Sequence, residues 1–117
     1  MNNTREGRLA YAKIELQSAY ATLEQIKPSS KSFKEYKLEL WRARSRIELA
    51  ILLIKLAANV EHEEMRPPFI LKAEPQAILD KAKEMLFDSL NDFQDINTML
   101  ERVRRVRDLL LLLESGL

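Results

Sequence analysis

The chain has 117 residues, a length that carries one domain, residues 1–117, able to bury a core without disulfides or metal. Hydrophobic residues at 46% and charged ones at 32% exclude a disordered polar chain, and the absence of cysteine excludes a disulfide framework, thiolate metal sites and cysteine nucleophiles. Nineteen basic against eighteen acidic residues leave a net charge of +1, so no long-range field draws nucleic acid.

Met1 to Arg8 is polar and contains no apolar signal region. A first helix is expected from about Arg5 to Lys27, with Thr4 as its cap and Pro28-Ser29-Ser30 ending it. Leu9, Ala12, Leu16, Ala19, Leu23 and Ile26 mark its core face at three- and four-residue steps. Ala10, Ile14, Gln17, Ser18, Ala21 and Gln25 form a second, uncharged seam. Small residues at that spacing permit another helix to approach, either within the chain or from a partner.

Ser32 with Glu35 reads as a capping box opening a second helix, which is expected to reach about Glu64 and stop before Pro67-Pro68. Its core line is Tyr36, Leu40, Ala43, Ile47, Ala50, Ile54 and Ala57, with Trp41 beside it and expected to pack inward, the alternative being an anchor for a partner. On a wheel of about 100° per residue, Glu35, Glu39, Arg42 and Arg46 share one flank in the first half. Leu49, Leu53, Leu56 and Val60 take that flank in the second half, leaving a polar strip of Glu48, Lys55 and Asn59. A helix apolar almost all round must be covered almost all round, by the later helices or by another chain. Ile54 is expected at the centre of the core.

Phe69-Ile70-Leu71 could be extended, and Pro75 suits the first position of a third helix. Asn91, Asp92, Asp95 and Asn97 favour a turn near 91–95 and a fourth helix ending at Ser115-Gly116. The alternative is one helix continuous over 75–115, because the apolar stripe crosses this region without Gly or Pro. The fold expected is therefore all-α, an antiparallel up-and-down bundle of four helices, or three long ones. The longest apolar runs, Leu49 to Ile54 and Leu109 to Leu113, fall far short of the roughly 18–20 residues of a membrane span. A cytoplasmic protein with no membrane contact is expected.

No residue group has the spacing of an active site. His62, the single histidine, stands in Glu61-His62-Glu63-Glu64 without the Glu-x-x-His pairs of a di-iron bundle. Glu61 and Glu64 could join Asp88, Asp92 or Asp95 around magnesium, but no later Glu-x-x-Asp completes that pattern. No metal or cofactor is expected. Arg102, Arg104, Arg105 and Arg107 resemble a nucleic-acid patch only when read linearly. Around the helix, Arg104 neighbours Glu101 and Asp108 at ion-pairing spacing, while Arg102 and Arg105 share another flank.

Two functional readings remain. The first is a non-enzymatic interaction protein, a homodimer or a small subunit bound to another helical protein. Five successive leucines from Leu109 cover every side of a helix, so Leu109 or Leu112 is expected to be exposed in a lone chain. Arg107 could there meet an acid from a second chain, and Ala10, Ile14 and Ala21 offer a second contact. The other reading is a nucleic-acid-associated protein using Arg42, Arg46, Arg102 and Arg105.

Overall fold

The computed structural model describes residues 4–26, 33–59, 73–91 and 95–115. They contain four helices: α1 (Arg5–Glu24), α2 (Phe33–Ala58), α3 (Pro75–Asn91) and α4 (Ile96–Glu114). Among the described residues no strand occurs. The all-α four-helix fold is the one the spacing predicts, and the continuous 75–115 helix is ruled out.

Local chemistry sets the ends. Thr4 Oγ1 accepts the Gly7 N–H at 3.0 Å and opens α1. The same helix closes three residues before Lys27, where Gln25 and Ile26 donate to carbonyls only three residues back, at 3.2 Å each. Asp95 caps α4, accepting the Asn97 N–H at 3.1 Å and the Thr98 N–H at 3.3 Å. Pro75 stands first in α3, where its missing N–H costs nothing.

α2 stops earlier than expected. It ends at Ala58, and Asn59 follows with φ of 60°. Asparagine is one of the few residues besides glycine that tolerates left-handed backbone, and there it breaks the helical repeat. The expected continuation to Glu64, the Ser32 half of the capping box, Phe69-Ile70-Leu71, and His62 with its acidic neighbours lie outside the described residues.

Leu16 and Leu23 of α1, Leu40, Ile47 and Ile54 of α2, Ile78, Leu79 and Leu86 of α3, and Met99, Leu110 and Leu113 of α4 are closed to solvent. Each contributes about 1.5–3 kcal/mol by leaving water. Packing runs in a ring, α1 on α2, α2 on α4, α4 on α3 and α3 on α1, so α2 and α3 do not touch among the described residues. Of the two later helices expected to cover the rest of α2 unless another chain does so, α4 packs on it beside α1 and α3 does not.

Arg46 reaches Glu15 across the α1–α2 hairpin at 3.2 Å. Arg44 meets Glu114 while Ile51, Leu52 and Lys55 border Arg107, so α2 and α4 run in opposite senses, whereas the expected up-and-down order would set them parallel; that part of the expectation is corrected. Tyr20 and Phe87 join α1 to α3 with ring centroids 5.9 Å apart. No described helix is long and apolar enough to cross a membrane.

Candidate interaction surface

With α3 absent from its side, α2 keeps an apolar face in the solvent. Leu38, Trp41, Leu49, Leu52 and Leu56 are exposed, Trp41 at 50% and Leu52 at 51%. Ser45, half-buried, falls in the same line. The steps from Leu38 through Trp41, Ser45, Leu49 and Leu52 to Leu56 are each three or four residues, so the six form one stripe. It lies roughly 180° around the helix from the buried line of Leu40, Ala43, Ile47 and Ile54. About 27 Å of helix carries it, and a few hundred Å² of continuous apolar surface is as much as the largest patch on most monomers.

Charged groups border the stripe. Arg44 links α2 to the end of α4: its Nε and Nη2 meet the two Glu114 oxygens at 2.5 and 3.2 Å, and its Nη1 meets Glu48 at 2.9 Å. The Glu114 hydrogen bond raises the Arg44 pKa above its ordinary value, against a smaller opposing effect of burial. Beside Leu52 a hollow of about 210 Å³ is lined by Glu48, Ile51, Lys55 and Arg107. Trp41 does not pack inward with Tyr36, which corrects the first of the two readings its position allows. Tyr36 is buried as expected, burial pushes its phenol pKa up, and its hydroxyl has no hydrogen-bond partner among the described residues.

The other sequence candidates fall in different places. Of the two leucines, one of which is expected to face solvent, Leu109 is 1% exposed and Leu112 is only intermediate. Leu109 turns toward the core with Leu110 and Leu113, and Leu111 takes the exposed position instead. Leu112 is partly buried against the core. Arg107 lies 3.4 Å from Asp108. On α1, Ile14 is 57% exposed and Ala10 and Ala21 are open to solvent, so neither α3 nor α4 covers that seam.

The arginines do not gather into one patch. Arg42 is exposed on α2, while Arg46 turns to Glu15 on α1. Arg104 is 5% exposed with Nη1 on Glu101 at 3.2 Å. Arg107 marks the edge of α4 that faces α2, and Arg105 lies about 160° around the helix from it. Arg102 and Arg105 therefore stand away from the α2 arginines. Among the described residues no cluster of three His, Asp or Glu side chains could hold a metal ion.

The sequence pattern puts Leu49 and Leu56 on an apolar flank but does not join Leu38, Trp41 and Leu52 to the same face. The available signal is a second three-and-four spacing, offset half a turn from the core line. Among the described residues, fold and surface together define a four-helix bundle with an exposed apolar stripe on α2. Compared with protein-family models, curated proteins and solved structures, the chain matches none.

Proposed function

We propose that the protein is a non-enzymatic interaction module, which binds through the outer face of α2 to another helical surface. One observation carries this reading: Leu38, Trp41, Leu49, Leu52 and Leu56 lie outside the buried core and form an ordered stripe in water. Keeping five large apolar side chains exposed invites aggregation unless a partner covers them. Scattered single leucines need no such account, but a stripe in helical register does. A nucleic-acid role is less well supported, because Arg42 and Arg46 stand apart from Arg102 and Arg105.

A photoreactive amino acid placed at Ser45 in living cells tests the reading. A protein adduct that disappears when Leu52→Glu is added supports it. Absence of any protein adduct overturns it, and a nucleic-acid adduct favours the arginine reading.

A further inference from the structure

We propose that the occupant of this face is the same face of a second copy of the chain, laid antiparallel about a two-fold axis near Glu48 and Leu49. This assignment rests on the reading of α2 as an interaction surface and adds the partner and its register.

A two-fold interface must complement itself, so that if one residue meets another, the reverse also holds. The stripe has that property. Trp41 and Leu56 stand at equal distances on either side of the midpoint between Glu48 and Leu49, and so do Ser45 and Leu52. Laid antiparallel, Trp41 covers Leu56 of the second copy, and small Ser45 leaves room for Leu52. Leu49 meets its own counterpart beside the axis. Large side chains then oppose small or flexible ones, as interdigitation requires. A parallel pairing would set Trp41 on Trp41 and leave a gap at the two serines.

Charge permits the same arrangement. Glu48 is the acid nearest the axis, and Arg44 holds it at 2.9 Å, so each carboxylate arrives with its own countercharge. Size decides the strength. Stable pairs bury about 800 Å² per partner and weak ones under about 600 Å². One helix face about 27 Å long belongs at the small end of that scale, where association is reversible and falls in about the micromolar range.

The chain has no cysteine, so introduced cysteines report cleanly. Sedimentation equilibrium on the purified full chain, from about 1 to several hundred micromolar, should show the mass rising toward twice the chain mass. Leu52→Glu with Leu56→Glu should hold it at one chain mass with unchanged circular dichroism. Under oxidation Leu49→Cys should form a covalent dimer, whereas Leu38→Cys should not, because its two copies lie roughly 30 Å apart in this register.

A wild-type chain that stays single over the whole range overturns the proposal. The Ser45 adduct then decides separately whether the face serves a different protein. A dimer that survives Leu52→Glu with Leu56→Glu but is lost in Leu112→Glu moves the interface to α4 and also overturns it. Equal crosslinking of Leu38→Cys and Leu49→Cys overturns the antiparallel register. Should the double glutamate variant fail to fold, the contrast between the two cysteine variants still tests the pairing.

Discussion

At Tyr36 the core encloses a hydroxyl with no hydrogen-bond partner among the described residues. Burying such a group costs about 1–3 kcal/mol, and an apolar replacement of the same shape avoids that cost. Tyr36→Phe is expected to raise stability by about 1 kcal/mol, seen as a higher denaturant midpoint with an unchanged slope. A loss of stability would mean that the hydroxyl is satisfied after all. Ile54 tests the opposite case, since its side chain is fully closed to solvent. An aspartate there leaves a charge buried without a partner, which costs several kcal/mol, comparable to the whole stability of a small domain. Ile54→Asp is expected to abolish the cooperative thermal transition.

At the scale of elements, α4 is held at both ends by polar contacts. At its start Asp95 accepts from the Thr98 hydroxyl at 2.7 Å and from two backbone N–H groups, which lower its pKa from the ordinary value. A depressed pKa in the folded state means that the carboxylate stabilises α4 above the ordinary aspartate range, near 4. That contribution is lost as pH falls through the lower folded value. Asp95→Asn keeps a competent cap but cannot titrate, so its melting point should respond less to acid than wild type between about pH 4 and pH 2. Equal acid responses would assign the acid limb to other groups. At its end, Glu114 takes the forked bond from Arg44, and both side chains are largely shielded. Glu114→Ala is expected to cost about 1–3 kcal/mol and to fray the last turn of α4. A double-mutant cycle with Arg44→Met checks the coupling, which should approach zero if the pair is idle.

These ends also mark what the sequence can convey. Thr4, Pro75 and Asp95 act through neighbours a few residues away, so the boundaries they set are readable. Arg44 and Glu114 are seventy residues apart, and no local pattern pairs them. Asn59 reads as part of a polar strip, although its left-handed backbone ends α2. Leu109 is misplaced by the pattern because five successive leucines give no phase of their own. Their orientation follows from Val103 and Val106, which place Leu110 and Leu113 inward and carry Leu109 with them.

For the whole molecule, the longest dimension is 42 Å, and α2 with 26 residues rises about 39 Å. One helix thus runs the length of the molecule, with its inner line building the core and its outer line facing water. That division yields a prediction the wheel alone would reverse. Were α2 covered all round, replacing Leu52 and Leu56 by glutamate would bury two unpaired charges and unfold the domain. With both about half exposed, the isolated variant should stay within about 1 kcal/mol of the isolated wild type. Association then separates the two by mass action, because only the wild type gains stability from a second copy. At ten times the dissociation constant the gain is about 1.4 kcal/mol, which for a domain of this size is roughly 5 °C in melting temperature. The wild-type melting temperature should therefore climb by several degrees as concentration passes through the micromolar range, while that of the double variant stays flat. Equal and flat curves would mean that the outer face of α2 does not pair with itself.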